Sequence, residues 1–209
     1  MASDVDICNL ALLHLGTRST VSSLSEGSAE ANACALVYPV TRDLLLTQHK
    51  WGFATRRAAL ADLGNPPDDW AYRYAYPTDC LLARAIYQPN NGFIPYAISG
   101  DLDPAGNPIR VIVTDQARAE LIYTARISSS AQFDPAFVAA LSWLVAAELA
   151  MTLTGDSGLN QACIQTANAS VAAARAADAN EAPTIMDREC EWIRARGPSS
   201  PSMQNDKVM

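Results

Sequence analysis

The sequence predicts an α+β fold: mainly a four-helix bundle with an inserted small antiparallel β module and an extended C-terminal tail. Three observations carry this. Apolar residues recur at helical spacing near both ends of the chain. A middle stretch switches to period two, with aromatics and turn residues between short runs. The last thirty residues are polar and rich in Pro and Ser. The resulting segments are 1–52 for helices one and two, 53–127 for the β module, 128–179 for helices three and four, and 180–209 for the tail.

The first helix is expected over 4–15. Ser3 can N-cap it, Asp6 stands in the capping-box position, and Gly16 can end it. Ile7, Leu10 and Ala11 form one stripe with Cys8, Leu12 and Leu15 beside it, so the helix is apolar around most of its circumference. The second helix should run from about Ser28 to Gln48. Ala29, Ala33, Leu36, Val37, Val40 and Leu44 fall on one of its faces. Pro39 lies inside it and removes one helical hydrogen bond, which predicts a kink or a short break. Gly52 is a natural stop.

In the β module, Trp70, Tyr72, Tyr74 and Tyr76 alternate with Ala71, Arg73 and Ala75, and Pro77 ends the run. LARAIY (82–87), FIPYAIS (93–99), RVIVTD (110–115) and RAELIYTAR (118–126) are further strand candidates. NPPDD, QPNNG and GDLDPAGNP supply the turns. Packing of the Trp70–Tyr76 stripe against the helices is the expected arrangement. Its other use, stacking of bases, calls for a basic groove, and only Arg73 and Arg84 are near in sequence.

Asp134 followed by Pro135 marks the start of the third helix, which continues to about Leu153 and is closed by Gly155. Its length approaches that of a membrane span, but Ser142 and Glu148 sit inside it and no Lys or Arg flanks it closely, which favours a buried core helix. The fourth helix should span about Leu159 to Ala179, with Leu159, Ala162, Cys163, Ala167, Val171 and Ala174 along one side.

Composition narrows the function classes. The net charge of −7 and pI of about 4.7 repel polyanions, which argues against a DNA-coating protein but not against a conduit that lets DNA pass. Five scattered cysteines without a CxxC predict reduced, buried thiols in a chain made in a reducing cytoplasm, with no zinc site. GDSGL (155–159) invites a serine-esterase reading with Ser157 as nucleophile. That needs a base, and the two histidines, His14 and His49, both fall in predicted helices, so a helix-connecting turn is the simpler reading. Neither a metal pair of His14 and His49 nor a phosphate loop is indicated, so no cofactor is expected. The tail holds Arg188, Trp192, Ile193, Arg194 and Arg196; Trp and Arg are enriched at interface hot spots, and the otherwise polar segment around them would fold on a partner.

The order of these parts resembles the tail tubular protein A family, the head-to-tail adaptors of short-tailed bacteriophages. The resemblance rests on ICNLALLHLG (7–16), YPVTRDLLLTQHKWGFATRRAALA (38–61), WAYRYAYPTDCL (70–81), LIYTARI (121–127), FDPAFVAALSWLVAAELAMTLTG (133–155) and EWIRAR (191–196). It covers nearly the whole chain; its specificity lies in order and spacing, and a head-completion or tail-tube connector of another tailed phage fits the same residues. The family implies a non-enzymatic virion protein, a twelve-fold homo-oligomeric ring between portal and tail nozzle through which genomic DNA passes. It implies that Trp51 and Phe53 form a hinge corner, that the tail docks on portal or a neighbouring subunit, and that Arg56 and Arg57 are candidates for inter-subunit pairing.

Overall fold

The computed structural model describes residues 2–89, 92–103 and 105–181. Four helices, α1 (Asp4–His14), α2 (Ala29–Gln48), α3 (Pro135–Thr154) and α4 (Ser157–Glu181), enclose in sequence six strands: β1 (Thr55–Ala59), β2 (Tyr72–Ala75), β3 (Cys80–Ile86), β4 (Tyr96–Leu102), β5 (Pro108–Thr114) and β6 (Glu120–Ala125).

Local chemistry sets the helix ends. Ser3 and Asp6 form the reciprocal capping box on α1, and the Ser28 hydroxyl accepts from the Ala31 amide at the start of α2. Pro135 opens α3, while the Asp134 side chain makes no capping hydrogen bond. Gly155 closes α3 at φ 66, a left-handed conformation open to glycine at little cost. α2 runs through Pro39 as one continuous helix of 20 residues, so of the two expected outcomes, a kink or a short break, the break is absent.

α3 is the helix on which α1, α2 and α4 all pack. It is long and apolar enough to cross a bilayer. Phe137, Ala140, Leu141, Val145, Ala146, Leu149 and Ala150 are buried along it. Its polar Ser142 is buried too, donating to the Ala139 carbonyl at 2.9 Å and meeting His14 Nε2 at 3.2 Å. Small side chains on α4, Cys163, Ala167 and Ala174, let that helix lie close along α3.

The expected four-helix bundle with a small inset is not what forms. The strands make two three-stranded antiparallel sheets, ordered β1-β6-β3 and β2-β5-β4. Residues 61–63 tie the second sheet to the first: the Leu63 amide donates to the Arg73 carbonyl, and the Ala75 amide to the Ala61 carbonyl, each at 2.8 Å. Tyr74, Ala83, Ile86, Ile112, Leu121 and Tyr123 from the sheets join Leu45, Trp51, Phe137 and Leu141 from the helical part in one continuous buried cluster. The fold is α+β with a shared core, and the β part supplies a large share of it. The physical reason is the inward side of each strand: β6 buries Leu121, Tyr123 and Ala125, residues that need a second layer to cover them.

One strand is added to those expected and one is narrowed. β1, TRRAA, has no apolar alternation and is mostly exposed, as suits an edge strand carrying charge. The aromatic run narrows to Tyr72–Ala75, within which Tyr74 is 2% exposed and gives its hydroxyl hydrogen to the Gln116 carbonyl at 2.9 Å.

Candidate functional site

The chain leaves α2 through a corner, His49–Ala54, that is held from three directions. Trp51 is 1% exposed, donates its indole N–H to the Leu45 carbonyl at 2.9 Å and meets Phe137 edge-on at 5.0 Å. Phe53 packs on Phe137 and Phe133 at 5.1 and 5.8 Å. From the sheet side, Arg84 on β3 donates to the carbonyls of His49 at 2.7 Å and Thr47 at 3.3 Å, and to the Thr124 hydroxyl at 3.0 Å. A cation at a helix C-terminus satisfies carbonyls that have no partner within the helix and complements its dipole. From the helix side, the Asp178 carboxylate on α4 accepts from the Gly52 amide at 2.8 Å and meets His49 Nε2 at 3.0 Å. One turn earlier Arg175 donates to the Gln48 side chain at 2.9 Å. The corner is therefore where helices and sheets are fastened together.

Beside it lies a cleft of about 510 Å³ lined by Lys50, Gly52, Phe53, Thr55, Asp134, Asp178 and Glu181. Burial, and then the charge of Asp178, raise the Asp134 carboxyl above its usual range. Among the described residues no cluster of three His, Cys, Asp or Glu side chains is disposed to hold a metal ion. What the cleft offers is an acidic notch with an aromatic wall.

Arg56 and Arg57 stand on β1 and have acidic partners within the chain. Arg56 pairs with Asp79 at 2.9 Å; Arg57 pairs with Glu120 and lays its guanidinium 3.2 Å from the centre of the Tyr87 ring. The four charged side chains of these two pairs are each more than a third exposed, so the pairs stabilise the fold little. Ser157 opens α4, where the neighbouring Asp156 carboxylate accepts from the amides of Gly158 at 2.8 Å and Leu159 at 3.1 Å. Both histidines are engaged elsewhere, His49 with Asp178 and His14 with Ser142, and His14 also stacks on Trp143 at 3.7 Å. Burial lowers the His14 pKa. The tail positions Arg188, Trp192, Ile193, Arg194 and Arg196 lie outside the described residues.

The feature that the sequence pattern placed differently is α2. Its buried face is Ala31, Cys34, Tyr38, Thr41, Arg42, Leu45 and Leu46. The apolar row of Leu36, Val40 and Leu44 points the other way, with 75%, 68% and 55% of each residue exposed. Three aliphatic side chains four residues apart thus form a bare ridge along the outside of the molecule, about 12 Å from first to last at 1.5 Å per residue.

Comparison of the chain with protein-family models gives no match, and comparison with curated proteins gives none either.

Proposed function

We propose that the chain is a structural, non-enzymatic head-to-tail adaptor of a tailed bacteriophage, one subunit of a twelve-fold ring between portal and tail nozzle. The observation that supports this best is the outward ridge of α2. A lone exposed leucine needs no explanation, whereas a row of aliphatic side chains along one helix face is a surface built to be covered. In the proposed ring the cover is the neighbouring subunit. The ridge is also small against the ~800 Å² per partner of a stable interface, which fits subunits that stay apart until a template holds them side by side.

The remaining features fit the same work. An overall acidic chain lets genomic DNA pass without holding it. The clamped corner keeps the helices and sheets of each subunit in fixed relation while force is passed between head and tail. In this reading the C-terminal segment with Trp192 and its arginines docks on portal or on an adjacent subunit.

The test is addition of the purified chain to DNA-filled heads that carry portal and lack an adaptor. The expected result is attachment, retention of DNA and competence to accept tails. A chain ended after Asn180 is expected to keep its melting point and lose attachment. Heads that stay unjoined with the full chain would refute the adaptor reading. Ester hydrolysis abolished by Ser157→Ala would replace it with the enzymatic one.

A further inference from the structure

The two sheets have outer edges at β1, β3, β2 and β4, and the first three are guarded. β1 carries Arg56 and Arg57, each in an ion pair. β2 is met by residues 61–63. The register of β3 shifts after Cys80 and after Ala83, and the Ala83 carbonyl accepts from the Tyr96 hydroxyl at 3.3 Å. Charge, cover and bulges are the usual guards of a sheet edge. β4 has none of them. Its residues pair with β5 in unbroken register, and the charge of its Asp101 is met by Arg73 at 2.6 Å. The hairpin to β5 fixes which way the backbone groups of β4 point. The Asp103 amide donates to the Asn107 carbonyl at 2.9 Å, so by alternation Asp101, Ser99 and Ala97 turn their N–H and C=O groups to β5. Those of Tyr96, Ile98 and Gly100 point away from the sheet and have no hydrogen-bond partner among the described residues. The outward Leu102 amide donates to the Asp101 carboxylate at 2.8 Å. Ile98 and Leu102 are exposed beside this open row.

We propose that the open edge of β4 is an interaction surface for a second copy of this chain, the two β4 strands pairing antiparallel about a two-fold axis at Ser99. The strand is complementary to itself in that register. Ile98 exchanges both backbone hydrogen bonds with the second copy's Gly100, and the Tyr96 amide reaches the second copy's Leu102 carbonyl. No residue of either strand overhangs. On one face the Tyr96 ring lies beside the second copy's Leu102, an aromatic–aliphatic cross-strand pair, and Ile98 lies beside a glycine that leaves it room. On the other face Asp101 stands opposite Ala97, so no like charges oppose one another. The same groups serve on both copies, as a closed two-fold contact requires. The two three-stranded sheets become one of six strands, and the open row is used up. A single pair of short strands buries well under the ~800 Å² per partner of a stable interface, so the dimer is weak and fills only at high chain concentration. The contact uses β4 and not the α2 ridge, and it does not depend on the adaptor reading.

The experiment is sedimentation of the full chain over a concentration series from micromolar to millimolar, with amide hydrogen exchange followed on the same samples. The expected outcome is a reversible monomer–dimer equilibrium, with exchange at Ile98 and Gly100 slowing as the dimer fills. Ser99→Glu sets two carboxylates opposite each other on the axis. Gly100→Pro removes an outward donor and leaves the bonds to β5 in place, and a side-chain atom added at Gly100 meets nothing within 4 Å. Each is expected to weaken the dimer by about tenfold or more, or about 1.4 kcal/mol, with the melting temperature of the dilute chain unchanged. Leu36→Asp should leave the dimer as it is. A chain that stays monomeric at millimolar concentration, exchange at Ile98 and Gly100 that ignores concentration, a dimer that survives Ser99→Glu, or one that Leu36→Asp abolishes would each overturn the proposal. The last of these would assign the contact to the α2 ridge and leave the adaptor reading standing.

Discussion

The C-terminal end of α2 and its outer face contrast sharply, although they belong to one helix. At the end, Trp51, Arg84 and Asp178 converge from the corner, a sheet and another helix, and the backbone groups there have partners. Along the face, Leu36, Val40 and Leu44 stand in solvent. The first region is where the chain spends interactions on its own fold. The second, more than half exposed at each residue, contributes little to that fold. In the proposed ring, a helix whose apolar residues are divided this way serves two layers, one inside the subunit and one outside it.

If this division is right, substitutions at the two regions separate stability from assembly. The largest loss of stability is expected from Trp51→Ala, on the order of 3–5 kcal/mol for a fully buried aromatic, read as a shift in the urea midpoint. A smaller one, roughly 1–3 kcal/mol, is expected from Arg84→Ala, which strips the Thr47 and His49 carbonyls of their donor. Leu36→Asp should change stability by less than about 0.5 kcal/mol. A loss there comparable with that of Arg84→Ala would mean that the ridge is covered within the subunit.

The mildest prediction concerns pH. Glu26 accepts hydrogen bonds from Ser28 and Ser22 and from the backbone of Ser22 and Ser23, which lowers its pKa from the ordinary 4.5 to about 2. A depressed carboxylate stabilises the loop fully above its ordinary value and loses that effect as pH falls through its folded value. The amide signals of Ser22 and Ser23 are expected to keep their native positions at pH 5 and to shift as the pH approaches 2. The Trp51 indole signal, held by a carbonyl, should stay in place until the whole chain unfolds.

Much of the fold was legible because its signals are local. Ser3 with Asp6, Ser28, Pro135 and Gly155 mark helix ends within a few residues of themselves, and the structure uses each of them. β5 and β6 announce themselves by β-branched and aromatic residues. β1 did not, because TRRAA is a charged edge whose pairing is decided by β6, about 65 residues away. The weight of the β part was underestimated for a related reason: periodicity shows that a strand has an apolar side, but not what covers it. The ridge was hidden by symmetry. α2 carries Leu36, Val40 and Leu44 on one face and Leu45, Leu46 and Cys34 on the other, and only α3 and the sheets decide which turns inward. The corner clamp had no sequence signal at all, since Arg84 and Asp178 reach it from far along the chain.

The most direct test of the central claim, that the outer face of α2 serves assembly and not folding, is Val40→Asp in the head-joining reaction, with the melting temperature measured on the same preparation. The account predicts a melting temperature equal to that of the unsubstituted chain together with loss of stable heads. Heads joined as well by Val40→Asp as by the unsubstituted chain, or a chain that no longer folds, would contradict it.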